Sequence, residues 1–450
     1  MKTDAPAKHS DPAPPGARML AALRAGKQSL LLATLCIYVL VLPIAHTIAL
    51  RGLSFLVLLV LTLALLVERK QLPQFPLWQA WLGYASVGLV AVFLAIDPTA
   101  SRGEFRTEFL YCYAIFMVGS IWGEQFASFK AFALLLAAAN LVLVSFAFAI
   151  VGVDTPFWMV PDIPAIAYAG LNTNWILTVI FLHAWLILRL WQEGRRVLPF
   201  VLIGLIALDL WAMMVGYNRQ AWLALGGGVA CWGLVMLYDN FSWRRGLLLI
   251  LVLGNVAVNF YLQLDRRSII DNTDAAGHMR VTAETSVAER LRSTVLADPR
   301  REIWRFSLEK IAEHPLVGAG LGRYVFRKAY PEFHPDQVNE WHAHNMILNK
   351  GIQMGVPGML TFLFLWLALA HEMLRHTRKS AAHASLAVAG LSIIGAVFVK
   401  NMTDDLFVRD TALMFWLVMG LLIGVLRSAQ AKGIRTEPTN AEFLAPKQQA

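Results

Sequence analysis

The sequence predicts an all-α polytopic membrane protein with about twelve transmembrane helices and one long, partly helical periplasmic loop between the ninth and tenth. Of the 450 residues, 57% are hydrophobic and only 15% are charged, whereas a soluble globular protein carries about 25% charged residues. The apolar residues also occur in blocks long enough for a helix to cross a bilayer, which takes about 20 residues. These observations exclude an ordinary cytosolic protein and a disordered chain.

Twelve blocks meet the test of length and composition, and they leave both termini on one side of the membrane. They lie near residues 29–50, 53–67, 77–96, 108–123, 129–151, 173–191, 197–216, 220–238, 246–263, 352–374, 383–400 and 411–427. The predicted segments are a disordered cytoplasmic tail over 1–28, nine spans over 29–263, a periplasmic loop over 264–351, three spans over 352–427 and a cytoplasmic tail over 428–450.

The basic residues predict the orientation. With the amino terminus in the cytoplasm, the cytoplasmic segments carry 20 Lys and Arg, against 6 in the short loops of the opposite side. The other 13 lie in the long loop, which the positive-inside rule discounts. We therefore attribute the net charge of +9 to topology and to an anionic ligand, because no nucleic-acid-binding motif accompanies it.

The long loop divides into two parts. Its first part, 265–294, is polar and is predicted to be flexible. Its second part has helical spacing that places Trp304, Leu308 and Ile311 on one face, with Arg301 and Arg305 at the edge of that face. This pattern predicts a helix lying on the membrane surface. Its arginines could bind the phosphate of a substrate or simply the headgroups of anionic lipids.

Two further groups of candidate residues lie on the same predicted side. Arg219 stands between the seventh and eighth spans, where a guanidinium needs an anionic or polar partner and suits phosphate; interfacial snorkelling is the alternative. His342, His344 and Asn345 precede the tenth span. Histidine accepts protons near neutral pH, and Asn345 could orient a ring or a sugar hydroxyl. No third ligand follows at fixed spacing, so the sequence predicts no metal site.

A fourth group, between the last two spans, contains Asp404 and Asp405 after Lys400 and Asn401. Paired aspartates could hold magnesium against a pyrophosphate or neutralise the arginines. A solvated loop or a salt-bridge role is the preferred interpretation. The sequence has no Walker A, GxSxG or Rossmann motif, and we interpret the glycine-rich stretch 318–322 as a turn.

Several of these elements, taken in chain order, resemble the O-antigen ligase and polymerase superfamily. They are Asn218-Arg219-x-Ala221-Trp222, Arg301-x-x-Trp304, His314-Pro315-Leu316-Val317-Gly318-x-Gly320-x-Gly322, His344-Asn345 with Leu348, and Gly355-Val356-Pro357-Gly358. The first element departs from the family's Ser-Arg-Gly-x-Trp by its Asn and its Gln. Twelve spans with one long loop complete the resemblance.

The resemblance implies an integral-membrane glycosyltransferase of the Gram-negative inner membrane, with its active site facing the periplasm. Its donor would be a glycan on undecaprenyl pyrophosphate, and its acceptor a hydroxyl of the lipid A–core oligosaccharide. His344 would activate that hydroxyl, and Arg219, Arg301 and Arg305 would hold the pyrophosphate. His342, Asn345, Trp304 and Asp404 would support the site. No cofactor or metal is implied, and membrane lipids are the remaining partners.

Other functions stay open at this point. A repeat-unit polymerase and a protein O-oligosaccharyltransferase use similar donors and motifs, and the acceptor distinguishes them. A secondary transporter or flippase is the alternative from another class. Transporters usually place ionisable groups at the midplane, in two related halves, whereas the candidate residues here cluster on one predicted side.

Overall fold

The chain is described from a computed structural model. It covers residues 15–69, 73–124, 129–152, 162–216, 218–239, 246, 249–250, 252–262, 300–322, 324–333, 342–378, 381–403, 407 and 409–431. The predicted flexible part of the long loop, 265–294, lies outside the described residues. Asp404, Asp405 and most of the two tails lie outside them as well.

Every regular element in the described ranges is a helix. In chain order they are α1 (Pro15–Val41), α2 (Ile48–Arg69), α3 (Trp78–Phe93), α4 (Pro98–Phe105), a π-helix (Arg106–Tyr111), α5 (Cys112–Gly123), α6 (Phe129–Val151), α7 (Ala165–Gly170), α8 (Thr173–Gln192), α9 (Val197–Val215), α10 (Arg219–Asp239), α11 (Val252–Leu262), α12 (Arg300–Glu313), α13 (Val325–Ala329), α14 (Met346–Thr377), α15 (Ala381–Asn401) and α16 (Arg409–Ala431).

The prediction of an all-α polytopic membrane protein is confirmed. Among the described residues, seven helices are long and apolar enough to cross a membrane: α2, α6, α8, α9, α14, α15 and α16. Three shorter apolar helices lie in the predicted first, third and ninth spans. The unit formed by α4, the π-helix and α5 lies at the predicted fourth span, and α10 at the eighth. Each predicted span therefore coincides with helical residues.

The first helix begins earlier than the sequence prediction. Helix α1 starts at Pro15, although 1–28 were predicted to be a disordered tail. Residues 15–28 are rich in Ala, Leu, Arg, Lys and Gln, which are strong helix formers, and they continue directly into an apolar span. The prolines and charges of this segment therefore do not indicate disorder over residues 15–28. Its location in the cytoplasm stays a prediction.

Among the described helices, α5 and α16 make the most extensive contact. Gly119 and Gly123 of α5 face Gly420 and Gly424 of α16, and a Cβ added at Gly119 would lie 2.6 Å from the Leu417 carbonyl oxygen. Each helix therefore contributes a small-x-x-x-small pair, which lets two backbones approach within a membrane. This contact holds α16 against α5 along the paired glycines.

Contacts at the helix termini define two ends of the bundle. At one end, Arg69 pairs with Glu124 at 3.0 Å and Lys130 with Glu193 at 2.5 Å. The opposite end carries the first residues of α8, α10, α14 and α16, together with α12, and we refer to it as the site end. The predicted orientation places the site end in the periplasm, and this assignment stays a prediction.

The predicted helix in the long loop is present as α12. Ile303, Ser307 and Ile311 are buried, whereas Leu308 is exposed and Trp304 is only half-buried. Ile303 and Ile311 belong to a small second core with residues of α13 and α14. The protein therefore covers the face of α12 that is adjacent to the predicted apolar face. That Trp304 and Leu308 face the membrane surface stays a prediction.

Candidate active site

The element that contains Arg219 forms the start of α10. The side-chain oxygen of Asn218 accepts a hydrogen bond from the backbone N–H of Ala221 at 3.2 Å, as helix-capping residues do. The side-chain nitrogen of Asn218 donates to the Thr173 hydroxyl, at the start of α8, at 3.4 Å. Arg219, half-buried, is therefore the first residue of a helix that is fixed at its N-terminus to α8.

Gln220 joins this element to α12. With its amide oxygen turned toward Arg300, Gln220 accepts hydrogen bonds from both terminal guanidinium nitrogens of Arg300 at 2.6 Å. In the same orientation its nitrogen donates to the side-chain oxygen of Asn218 at 3.1 Å. The Gln that departs from the family pattern thus connects α10 to α12, and an arginine outside the predicted set makes that connection.

The two predicted arginines of α12 lie further from this junction. Arg301 is exposed. The side chain of Arg305 is 84% exposed, and its Nε lies 3.0 Å from a carboxylate oxygen of Glu309, one turn along α12. Both arginines are accessible to a ligand, but Arg305 would have to share its charge with Glu309. The half-buried Trp304 lies between them.

The two predicted histidines contact each other directly before α14. Their ring centroids lie 4.2 Å apart, and the backbone N–H of His344 donates to Nδ1 of His342 at 3.1 Å. Neutral His342 must then carry its proton on Nε2. His342 is buried, whereas His344 is half-buried. His344 has a φ of 47°, in the left-handed region that costs a residue with a Cβ about 1–2 kcal/mol.

Asn345 caps α14 and connects it to the end of α15. Its side-chain oxygen accepts from the backbone N–H groups of Ile347 and Leu348, both at 3.0 Å, and so caps α14. Its nitrogen donates to the carbonyl oxygen of Met402, after α15, at 2.9 Å. Because both ends of the amide are engaged, Asn345 orients the chain at His344 rather than a sugar hydroxyl.

The described contacts connect the predicted motifs across the site end. From Met402 the connection continues to Asn401, whose side-chain nitrogen lies 3.5 Å from the side-chain oxygen of Asn174. Asn174 follows Thr173, which contacts Asn218. The starts of α14, α8, α10 and α12 are therefore linked through side-chain amides and one hydroxyl. Helix N-termini and arginines together favour an anionic ligand at this end.

A cavity of about 460 Å³ opens beside these residues. This volume lies within the range of small-molecule sites, about 300–1,000 Å³. Its polar lining consists mainly of Asn172, Asn174, Asn218, Arg409 and Asp410, and the ring of Tyr168 lies beside them. The side-chain nitrogen of Asn174 is buried and has no hydrogen-bond partner among the described residues. None of the predicted site residues that are described lines this cavity.

Residues 205–363 match the family model described as O-antigen ligase. The match covers about a third of the chain, and we refer to residues 205–363 as the ligase-family segment. The resemblance drawn from the motifs is thereby confirmed, and the family supports an activity of the O-antigen ligase or polymerase type on lipid-linked glycans. The matched segment includes Arg219, Arg301, Arg305, His342 and His344. No curated protein matches the chain.

Within the ligase-family segment, the glycine-rich stretch 318–322 forms hydrogen bonds with α14 in addition to turning the chain. Helix α14 is interrupted at Gly355, with φ 69° and ψ −170°. The carbonyl oxygens of Ile352 and Gln353 accept instead from Ala319 and Gly320 at 2.7 and 3.0 Å. The stretch is thus hydrogen-bonded along the break in α14. It holds the first nine residues of α14, which begin beside His344, as a segment of their own.

One group of charged residues was not identified from the sequence. Lys350, whose side chain is 5% exposed, donates to Glu108 at 2.5 Å and to Gln353 at 3.2 Å. The hydroxyl of Tyr84 donates to the same oxygen of Glu108. Glu108 lies in the π-helix, a feature that often occurs at functional sites. The sequence does contain a signal for this pair, because Glu108 lies in one apolar block and Lys350 lies just before another. Charges in such positions require a partner.

A second buried cluster lies halfway along α6, α8 and α9. Nδ1 of His183 lies 3.5 Å from a carboxylate oxygen of Asp209, and Asn140 donates to the other oxygen of Asp209 at 2.8 Å. Trp175 donates to Asn140 at 2.7 Å. These side chains are almost entirely inaccessible. The sequence analysis overlooked them because each is a single polar residue inside an apolar block.

The fourth predicted group is only partly described. Lys400 and Asn401 are fully buried, so the prediction of a solvated loop does not hold for these two residues. Asp404 and Asp405 lie outside the described residues. Among the described residues, no group of three or more His, Cys, Asp or Glu side chains could hold a metal ion. The prediction of a metal-independent reaction stays untested.

Proposed function

We propose that the protein is an O-antigen ligase that transfers a glycan from undecaprenyl pyrophosphate to a hydroxyl of the lipid A–core oligosaccharide. The reaction would take place at the periplasmic face of the Gram-negative inner membrane. The observation that supports this most directly is the linked arrangement of Arg219, Arg300 and His344 at the starts of three helices at one end of the bundle. All three residues lie in the ligase-family segment.

The positive charges suit a lipid pyrophosphate. Arg219 and Arg301 would bind it, and Arg305 would join them when its contact with Glu309 is exchanged for phosphate. Guanidinium groups bind phosphate oxygens in pairs. Arg300 would hold the start of α12 against α10 through Gln220 and so keep the arginines of the two helices together. The family resemblance assigns the arginine roles, and the Gln220–Arg300 contact supports their proximity.

The half-buried His344 would act as the general base. Its ring would take the proton of the acceptor hydroxyl while the acceptor oxygen forms a bond to the anomeric carbon of the donor. The bond from that carbon to the pyrophosphate oxygen would break, and undecaprenyl pyrophosphate would leave with its additional negative charge. Arginines stabilise this charge where it develops. His342, by accepting the backbone N–H of His344, would hold His344 in its strained conformation.

Neither a metal nor a nucleotide enters this scheme. Pyrophosphate is a good leaving group, so catalysis can rest on positioning, one base and fixed positive charge. The same groups would serve a repeat-unit polymerase or a protein O-oligosaccharyltransferase, which differ in the acceptor. The buried His183–Asp209 pair is the one observation that favours a transporter, because transporters carry ionisable groups at mid-depth.

An in vitro reaction separates these functions. Purified protein, an undecaprenyl-pyrophosphate glycan and lipid A–core are mixed in detergent with EDTA and without ATP, and the products are resolved on a gel. The proposal predicts enlarged lipopolysaccharide. Elongation of the lipid-linked glycan alone would identify a polymerase. The absence of both products would contradict the proposal and favour the transporter alternative. In cells, loss of the gene is expected to leave lipid-linked polymer and remove long-chain lipopolysaccharide.

A further inference from the structure

The cavity of about 460 Å³ at the site end lies directly beside the element that contains Arg219. Asn218 lines the cavity and immediately precedes Arg219 in the chain. The rest of the polar lining comes from the starts of α8 and α16, over residues 172–175 and 409–411. A ligand in this cavity would therefore lie against the first turn of the helix that carries Arg219.

Two amide side chains provide hydrogen-bond donors at this cavity. The side-chain oxygen of Asn172 accepts from the backbone N–H groups of Asn174 and Trp175 at 3.1 and 3.2 Å, whereas its nitrogen donates to none of the described residues. The nitrogen of Asn218 uses one of its two N–H groups on the Thr173 hydroxyl at 3.4 Å. Asn172 and Asn218 are both half-buried, so their side chains can reach a ligand.

The charged groups that line the cavity are paired with each other's neighbours. Asp410 forms an ion pair with Arg51, and a terminal nitrogen of Arg409 lies 3.3 Å from a carboxylate oxygen of Glu104. Backbone N–H groups at the starts of α8 and α10 could bind an anion, but the amide oxygens that cap these helices already accept from them. The described lining therefore favours an uncharged ligand, in contrast to the arginines nearby.

The remaining lining suits a sugar ring. The side chain of Asp410 is 41% exposed, and a carboxylate has about four acceptor positions, so it can accept from a hydroxyl while it stays paired with Arg51. The ring of Tyr168 is 52% exposed beside it. A sugar presents hydroxyl groups at its edge, which donate and accept hydrogen bonds, and C–H groups on its faces, which pack on an aromatic ring. Amide donors, a carboxylate acceptor and an aromatic ring match both parts.

We propose that this cavity binds an uncharged sugar ring, the one through which the donor glycan is attached to its pyrophosphate. Asn172 and Asn218 donate to its hydroxyls, Asp410 accepts from another, and Tyr168 covers one face. The position of Asn218 directly before Arg219 favours the donor over the acceptor, because the first sugar of the donor is bonded to the phosphate. The inference rests on the proposed function, and it makes this cavity the place where the donor glycan is selected.

The test measures binding without transfer. Full-length protein in detergent is titrated with an undecaprenyl-pyrophosphate glycan and with undecaprenyl pyrophosphate, in the absence of acceptor. The wild type is expected to bind the glycan-bearing lipid more tightly. Asn172→Asp keeps the capping oxygen and removes the donor, so it should lower the ratio of the two affinities about fivefold, the contribution of one hydrogen bond. A change that acted only through charge would weaken both lipids equally and leave the ratio unchanged.

A second variant fills the cavity without changing its polar groups. Ala45 is exposed and lines the cavity, so Ala45→Trp should also lower the ratio. The matched control is Ala100→Trp, at an exposed alanine of α4 outside the lining, and it should bind both lipids as the wild type does.

Three results would overturn the inference. They are equal binding of the two lipids by the wild type, an unchanged ratio in both cavity variants, and a raised KM for lipid A–core with unchanged donor binding, which would place the acceptor in the cavity. Because the titration contains no acceptor, it is separate from the test of the proposed function. A protein that transfers no glycan but keeps the predicted ratios would contradict the proposed ligase and support the sugar site.

Discussion

Two histidine clusters in the molecule differ in access. His342 and His344 lie at the site end, where His344 is half-buried and has a left-handed backbone. His183 lies at mid-depth, fully inaccessible, against Asp209. Both clusters place an imidazole beside a polar partner, but only the first can reach a substrate. Burial therefore separates a candidate catalytic base from a group that holds helices together.

This difference leads to a general expectation. Substitutions in the mid-depth cluster should change the free energy of unfolding and leave turnover by the folded protein unchanged. Substitutions at His344 should lower turnover and leave the free energy of unfolding unchanged. The Lys350–Glu108 pair lies between the two cases, because Lys350 is buried but belongs to the first segment of α14, which begins two residues after His344. Variants of this pair should show how strongly the packing of the first segment of α14 affects the transfer rate.

The largest effect on stability is expected for Lys350→Met. Removing one member of a fully buried ion pair costs about 3–5 kcal/mol. Because Glu108, the charge left without its partner, is half-buried, we expect a loss at the lower end of this range. The free energy of unfolding can be measured by denaturation in mixed micelles. The double variant K350M/E108L should recover most of the loss, because apolar residues often replace a buried pair at little cost. A single variant as stable as the double one would contradict this account.

The donor site gives the next largest effect. Arg219→Gln should lower kcat/KM for transfer about a hundredfold or more, since a lost electrostatic contact to the developing charge typically costs that much. Arg305→Gln should lower it less, because Arg305 is 84% exposed and shares its charge with Glu309. Initial rates at varied donor concentration test both variants. Equal losses would place the two arginines in equivalent roles and contradict the assignment.

For the mid-depth cluster, Asp209→Asn should destabilise the protein by about 1–3 kcal/mol, the usual range when a buried hydrogen-bonding group loses a partner. The hydrogen bond from Asn140 can be kept, but the contact with His183 changes. The transfer rate per folded molecule should not change. A fall in kcat without a fall in stability would show that the buried pair takes part in function and would support proton movement through the span.

A smaller effect is expected at the cap of α14. Asn345→Ala removes the capping hydrogen bonds and the contact with Met402, and loss of a cap costs about 1 kcal/mol. Asn345→Asp keeps the capping oxygen and removes only the donor to Met402. It should therefore recover most of the stability while transfer remains reduced. Transfer at the wild-type rate by Asn345→Asp would show that the Met402 contact does not position His344.

The sequence was most informative where a physical rule leaves few choices. Apolar length predicted the spans, and the spacing of α12 predicted a helix. The motif order led to the family that residues 205–363 match. The packing of Ile303 and Ile311 of α12 against α13 and α14 could not be predicted, because the spacing within one helix does not identify its neighbours.

The contacts within the site depend on distant segments. Lys350 and Glu108 are 242 residues apart, and no local pattern links them. Arg300 and Arg301 are adjacent in the sequence, and only the contacts of α12 with neighbouring helices distinguish them. The contact with Gln220 does so by joining α12 to α10. A single sequence can supply candidate residues of this kind, but it cannot supply their pairing.

The central claim is that His344 acts as the base of a glycan transfer. The most direct test compares transfer by His344→Ala with transfer by His46→Ala. His46 is the matched control because it is exposed and has a φ of 64°, so both variants remove an imidazole from a left-handed residue. The account predicts that His344→Ala lowers kcat by about 10²–10⁴-fold, the usual contribution of a general base. It predicts an unchanged melting temperature and normal transfer by His46→Ala. Normal transfer by a folded His344→Ala variant would contradict the account.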